Sequence, residues 1–367
     1  MRVPFGDLSE QYKAIKPAID RAVRRVLQSG WYILGREVGA FEKRFARYVG
    51  VRRCVGTANG LEALQIALLA CDVKRGDEVI TTPVSAAATA LAIIHVGAVP
   101  VFADVDPKTL LLDPQKIEQA ITKKTKALIP VHLYGQMCDM RAIMSIAKKH
   151  GLKVVEDCAQ AAGAAVGKRK AGSFGDFGAF SFYPTKNLGA YGDGGCLVTR
   201  DSGLAKIAKA LSDYGQIGKY DHFYTGLNSR LDEIQAAVLS VKLNNLKNWN
   251  NRRRQIAGTY SKLLSGLPLE VPRVPNDDSH IFHQYVIKTK SRDKLRDYLA
   301  QRGISTQIHY PKTLYQQHAI KKFARGRCPQ AEKAVGQIIS LPIYPELTDA
   351  EVKYVCRQIR DFYKNPR

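Results

Sequence analysis

Between Val51 and Thr199 the chain alternates short apolar runs with stretches of helical periodicity, and this alternation limits its fold more than any other feature. The strand-like runs are Val51–Gly56, Glu78–Thr82, Val99–Val105, Ala127–His132, Lys153–Asp157, Ala179–Phe182 and Gly195–Thr199. Helical patterns stand between most of them, at Leu61–Cys71, Ser85–His95, Pro114–Ile121, Met140–His150 and Gly203–Ser212. Strands that are almost continuously apolar are covered on both faces, so the pattern predicts an α/β fold with a mainly parallel sheet between helix layers.

An amphipathic helix over Leu8–Leu27 precedes this region. From Leu231 a long helical pattern runs to Leu267, with an interruption expected near Asn248-Trp249-Asn250-Asn251, and it breaks the strand–helix rhythm. The remainder predicts a small α+β unit: a strand pair, His283–Thr289 with Ser305–His309, a helix over Asp293–Gln301, and a terminal helix from Asp349 started by Thr348 with Glu351 three residues on. The expected division is a large domain over 1–245 and a small C-terminal domain over 246–367.

Composition excludes several classes. Seven scattered cysteines with no Cys-x-x-Cys spacing suit neither a disulfide scaffold nor a zinc site and fit a reducing cytoplasm; no metal is expected. The start lacks a secretory pattern, and the most apolar stretch, Pro83–Ala103, is broken by Gly97, Pro100 and His95, which argues against a membrane span. A formal net charge of +23 attracts polyanions, but the basic clusters at Lys123–Lys126, Lys168–Lys170 and Arg252–Arg254 form no recognition helix or aromatic RNA-binding pattern. Nucleic acid is therefore not the expected partner, and the same field suits a nucleotide diphosphate.

Lys186 follows the aromatic strand Phe180-Ser181-Phe182 and precedes the glycine-rich run Gly189 to Gly195. It is either a snorkelling surface lysine or an amine kept neutral enough by apolar surroundings to form a Schiff base. Asp157 ends an apolar strand, where parallel sheets place ligands, although a turn or cap aspartate reads the same way. Together, a lysine amine and a carboxylate able to protonate a pyridine nitrogen are what pyridoxal phosphate (PLP) requires. The small-residue turn Gly56–Gly60 leads into a helix whose Gly60 and Leu61 amides are free to meet a phosphate, with the Ser181 hydroxyl as a second donor.

Asp157-x-x-Gln160, the stretch from Ser181 to Lys186, Gly226–Glu233, the opening Pro4-Phe5-x-Asp7-Leu8 and the late His309-Tyr310-Pro311 resemble the DegT/StrS family of sugar-nucleotide aminotransferases. The resemblance covers nearly the whole chain in order. It implies a fold-type I PLP-dependent transferase, a homodimer with active sites shared between subunits. In that scheme Lys186 holds PLP and shuttles protons, Asp157 pairs with the pyridine nitrogen and Gln160 meets the ring or its hydroxyl. Ser181, Gly60 and Leu61 hold the phosphate, with Asn228 from the neighbouring chain. Tyr183, Lys219, His309 and Tyr310 are the candidates for sugar or diphosphate contacts.

The implied reaction moves an amino group from glutamate to a keto group of a nucleotide-linked sugar. Lysine at position 186, rather than the histidine of a deoxygenating branch, favours transamination. The Asn59-Gly60-Leu61 turn and His309-Tyr310-Pro311 resemble members that aminate C3 of dTDP-linked 3-keto-6-deoxyhexoses, for polysaccharide or lipopolysaccharide assembly. Amination at C4 is the runner-up, and a PLP-binding regulator that binds nucleic acid is a reading from a different class. One departure stands out: Val84-Ser85-Ala86-Ala87-Ala88 has no aromatic where the family commonly stacks one on the cofactor ring.

Overall fold

The computed structural model describes residues 1–364 other than 274, 276, 324 and 325. The chain opens with α1 (Leu8–Ser29), capped by Asp7, whose carboxylate accepts the Ser9 and Glu10 amides, and ended by Gly30 at φ 64°. Helix α2 (Arg36–Val49) follows, presenting Val38, Phe41, Phe45 and Val49 to the core. Its orphan first-turn amides are met from far away: the buried Glu233 carboxylate accepts from Gly35, Glu37 and Val38.

The alternating region then builds β1 (Arg53–Thr57), α3 (Gly60–Ala70), β2 (Glu78–Thr81), α4 (Ala87–His95), β3 (Val99–Phe102), α5 (Pro114–Ala120), β4 (Thr125–Ile129), α6 (Met140–His150) and β5 (Lys153–Asp157). A two-stranded ribbon, β6 (Ala165–Val166) with β7 (Arg169–Lys170), leads to β8 (Phe177–Ser181), β9 (Gly195–Thr199) and α7 (Ser202–Ser212). Seven strands form one sheet in the order β1-β9-β8-β5-β4-β2-β3. From β3 to β8 the neighbours are parallel, and β9 runs antiparallel to both β8 and β1. The sheet is thus mainly parallel, with apolar clusters on both faces.

A small hairpin, β10 (Gln216–Gly218) with β11 (Asp221–His222), stands on the surface before α8 (Glu233–Leu243) and α9 (Leu246–Leu264). The helical pattern breaks between Leu243 and Leu246, not at Asn248–Asn251; those residues continue α9 because Asn250, buried, finds side-chain and main-chain partners inside the protein. The rest is β12 (Tyr285–Lys288), α10 (Arg292–Gln301), α11 (Pro329–Val335), β13 (Ile338–Leu341) and α12 (Asp349–Lys364). The partner of β12 is β13, antiparallel, rather than Ser305–His309. That segment meets the pair through a single bridge from Gln307 to Ser340 and a side-chain contact of His309 with Ser340, so the later, continuously buried Ile338–Leu341 takes the place expected for it.

A third apolar cluster joins α9, α10, β12, β13 and α12 around Tyr260, Tyr285, Leu295 and Ile359, and Val3 from the chain's start is buried in it. Among the described residues no helix is long and apolar enough to cross a membrane.

Candidate active site

Asp157 is the last residue of β5, in the middle of the sheet, and is only 5% exposed. Thr89, in the first turn of α4, donates its hydroxyl to Asp157 Oδ2 at 2.8 Å, and the Ala159 amide donates to Oδ1 at 3.1 Å. Because the single Thr89 proton is committed to the carboxylate, Ser85 donates to Thr89 Oγ1 at 2.9 Å. Burial pushes the Asp157 carboxyl above the usual range, while the Thr89 and Ala159 donors and the Lys186 charge pull it back.

Lys186 sits half-buried in the loop after β8. That loop is pinned by Phe182, whose amide donates to Gly194 and whose carbonyl accepts from Ala190. Gly189 is required within it, since a Cβ there would run into the Pro184 carbonyl. Burial lowers the Lys186 amine from 10.5 to about 8, opposed by the Asp157 carboxylate. The two groups named from sequence therefore share one electrostatic site, brought together by the parallel pairing of β5 with β8.

Beside them lies an anion cradle. Asn59 caps α3 by accepting the Glu62 amide at 2.9 Å, leaving the Gly60 and Leu61 amides as first-turn donors without intrahelical partners. A Cβ on Gly60 would stand 2.6 Å from the Ser181 Cβ, so the helix start and the end of β8 meet only because residue 60 has no side chain.

Gln160 is buried, accepts the Tyr134 amide on Oε1 at 2.6 Å and donates from Nε2 to the Tyr310 hydroxyl at 3.3 Å. Tyr310 thus joins the site; burial and the nearby Asp157 carboxylate push its phenol up to about 12. His309 also joins it: Nδ1 lies 2.9 Å from Ser340 Oγ, the Tyr134 hydroxyl donates to its carbonyl, and burial with the Lys186 charge lowers the ring to about 4.

Tyr183 stays beside Lys186, its carbonyl accepting the Lys186 amide at 2.8 Å, whereas Lys219 and Asn228 are not gathered with Lys186 inside one chain. Tyr183 is 53% exposed, and Lys219 lies at the exposed tip of the β10–β11 hairpin over the Tyr220 ring. Asn228 is exposed in a separate cavity of about 520 Å³ with Ala58, Gly192, Asp193 and Arg230. Conversely, Ser85, Thr89, Tyr134, Asn187 and His283 belong to the neighbourhood and were not anticipated. Thr89 and Ser85 carried a usable signal, two hydroxyls four residues apart at the start of the helix after β2; the others are placed by distant contacts. The departure at Val84–Ala88 is as the sequence reads: Ala86 caps α4 half-buried and Ala87 is exposed.

The donors of the buried trio His132, Glu156 and Cys158 lie within 4.8 Å of one another. The histidine and the carboxylate are already engaged. Glu156 accepts from the Gly172, Phe174 and Gly175 amides, and His132 Nδ1 accepts from the Cys138 amide, so Nε2 carries the proton donated to Glu156. This is a buried structural network under the sheet end.

A sheet end holding a desolvated amine, a buried carboxylate and an anion cradle is the site of a cofactor-dependent transferase, and residues 13–360 match the model of the DegT/DnrJ/EryC1/StrS aminotransferase family, to which the chain belongs. It is 45% identical over 360 residues to the dTDP-3-amino-3,6-dideoxy-alpha-D-galactopyranose transaminase of Aneurinibacillus thermoaerophilus, covering 98% of this chain and 99% of that one. It is 46% identical to a protein of Geobacillus stearothermophilus described as a pleiotropic regulatory protein, covering the whole of both. The crystal structure of S. venezuelae DesV in complex with a ketimine intermediate superposes with a TM-score of 0.96 at 42% identity, all of both chains being covered. Solved relatives hold pyridoxal or pyridoxamine phosphate.

Proposed function

We propose that this chain is a PLP-dependent aminotransferase that transfers the amino group of glutamate to C3 of a dTDP-linked 3-keto-6-deoxyhexose, serving amino-sugar polysaccharide assembly in the cytoplasm. The observation that carries the reading is the pairing of Lys186, lowered to about 8, with the buried Asp157 carboxylate at one sheet end, next to the Gly60–Ser181 cradle. The Aneurinibacillus transaminase supports the sugar class and the position of amination.

These residues fit PLP. The cradle admits a phosphate beside amides and a hydroxyl, Gln160 keeps one Nε2 hydrogen for a ring substituent, and a protonated pyridine nitrogen would offset the desolvation that raises Asp157. When bound, PLP supplies an aromatic sink for the electron pair left when the amino-acid carbon loses its proton. Lys186 is the amine that would hold the cofactor's aldehyde carbon. Its amine would carry that proton from the amino-acid carbon to the carbon that was the cofactor's aldehyde, a task suited to an amine with a pKa near the operating pH. Asp157 would keep the ring nitrogen protonated, held in orientation by Thr89 and Ala159.

The remaining residues enter through a second copy of the chain. Asn228, Lys219 and the aromatic residues near them are exposed in one chain, as are Trp31, Ile217, Tyr220 (81%) and Phe223, too large an apolar display to be left to water. A homodimer would cover these side chains and deliver Asn228 and the basic Lys219 hairpin to the partner's phosphate and diphosphate sites.

The test is turnover. With glutamate and a dTDP-3-keto-6-deoxyhexose the PLP-loaded protein should release 2-oxoglutarate and a 3-amino sugar nucleotide, and glutamate alone should convert its spectrum to the pyridoxamine form. Turnover restricted to 4-keto sugars would move the reaction to C4. No spectral change with any amino donor would defeat transamination.

A further inference from the structure

We propose that the first residues of the chain belong to the sugar-binding side of the active site: Phe5 is a positioning residue that holds the His309 ring so that its free Nε2 meets a hydroxyl of the sugar nucleotide. The inference rests on the reading of the chain as a transaminase of a nucleotide-linked sugar. It gives a role to the opening Pro4-Phe5-x-Asp7-Leu8, which the catalytic groups leave unused.

The opening segment is anchored on both sides of Phe5. Before it, the Val3 amide donates to the Gly303 carbonyl at 2.8 Å, the Val3 carbonyl accepts the Ser305 amide at 3.0 Å, and the Val3 side chain is wholly buried. After it, the Asp7 carboxylate accepts the first amides of α1. Between these anchors the half-buried Phe5 lays its ring 5.7 Å from the His309 ring, centroid to centroid, with 35° between the planes.

His309 is thereby held at three points. Phe5 lies along one side, the Tyr310 ring stands edge-on at 5.7 Å and 85°, and Nδ1 lies 2.9 Å from Oγ of Ser340, a fully buried residue of β13. The remaining nitrogen, Nε2, makes no hydrogen bond among the described residues and is not shut in the interior.

A closed circuit of hydrogen bonds ties this ring to the cofactor end of the site. The Tyr310 hydroxyl accepts from Gln160 Nε2 at 3.3 Å, Gln160 Oε1 accepts the Tyr134 amide at 2.6 Å, and the Tyr134 hydroxyl donates to the His309 carbonyl. His309 thus stands one residue outward from Tyr310, which touches Gln160 directly. Burial, then the Lys186 charge, lower the imidazole to about 4, so it is neutral at the working pH. A hydroxyl such as that of Ser340 can donate to Nδ1 or accept from it, which leaves Nε2 free to act in either sense towards a sugar hydroxyl. Without Phe5 the ring would lose its packing on one side, and Nε2 its fixed direction.

Glutamate and a dTDP-3-amino-3,6-dideoxyhexose should each convert the PLP-loaded protein to its pyridoxamine form, so one absorbance change reads both sides of the reaction in one protein. Phe5→Ala should raise the amino-sugar concentration that gives half the maximal conversion rate by about two- to tenfold, the worth of one aromatic contact, and leave that of glutamate unmoved. Phe5→Tyr keeps the ring and should restore the amino-sugar response. His309→Ala should weaken that response at least as much as Phe5→Ala, and combining the two should cost nothing more, because a residue that acts through His309 then has nothing to position. An opening segment that serves only the fold predicts equal losses for glutamate and amino sugar. That result, additive losses in the double variant, or an unchanged amino-sugar response in Phe5→Ala would overturn the proposal. Wild-type protein that glutamate or the amino sugar fails to convert would instead defeat the reading of the reaction, whereas conversion by both with Phe5→Ala indifferent sinks only the role of Phe5.

Discussion

The Thr89 hydroxyl donates to Asp157 Oδ2 across 2.8 Å, and it is the strongest of the interactions that keep this buried carboxyl from drifting upward. Thr89→Val keeps the shape and deletes the donor. Since hydrogen bonds to the ionised form favour it, their loss raises the carboxyl pKa, and the carboxylate is then protonated at a higher pH. Turnover should drop roughly tenfold or more, consistent with about 1.5–3 kcal/mol for a bond to a charged group, and the acid limb of the pH–rate profile should move upward. An unmoved acid limb would remove Asp157 from the titrating groups.

Lys186 costs the empty protein stability. Its native pKa, about 8, lies below its value of 10.5 in an unfolded chain. Between those values the unfolded state binds more protons, so the penalty is full below about pH 8 and disappears as pH rises towards 10.5. Lys186→Met should abolish transamination and yet raise the melting temperature of the cofactor-free protein at pH 7. The gain is at most about 3 kcal/mol and smaller for a half-buried side chain. Calorimetry at pH 7 and pH 10 should show the difference between variant and wild type shrinking.

Gly60→Ala brings a Cβ to 2.6 Å from the Ser181 Cβ, so α3 or the end of β8 must shift. PLP affinity measured by fluorescence titration should weaken more than in Ser181→Ala, which loses one donor and leaves the cradle's shape. Overpacking of this kind costs about 1–3 kcal/mol. Equal effects would show that the hydroxyl, not the close approach, matters.

Ala86→Phe should tighten PLP retention about two- to tenfold, the worth of one aromatic contact at about 0.5–1.5 kcal/mol. Dialysis followed by absorbance of the remaining cofactor measures it. Unchanged or faster loss would mean that the cofactor's exposed face is already covered.

Mixing two inactive variants tests the sharing of sites. Lys186→Ala and Asn228→Ala chains, co-refolded or co-expressed, should regain up to about a quarter of wild-type activity, because half of randomly formed dimers would hold one intact site of two. No recovery in verified heterodimers would return Asn228 to its own chain.

Much of this site was readable in advance because its members stand at ends of apolar strands. Asp157 closes β5, Ser181 closes β8, and Lys186 follows within five residues, so periodicity alone places each near the sheet's edge. Helix α2 was also legible in principle, through Val38, Phe41, Phe45 and Val49, but its N-terminus depends on Glu233, 195 residues from Val38. The buried asparagines were not legible at all. Asn187 meets Asn250 across 63 residues and His283 across 96, and no local pattern distinguishes a buried, fully bonded asparagine from an exposed one.

The sequence by itself determined the strand–helix alternation, the glycine at residue 60 and the kinds of chemistry available, because backbone propensity and apolar periodicity act over a few neighbouring residues. Only the tertiary structure decided that Lys186 faces the field of Asp157 and that β13 rather than Ser305–His309 pairs with β12. Those outcomes depend on desolvation and on directional bonds between residues that chain folding alone brings together.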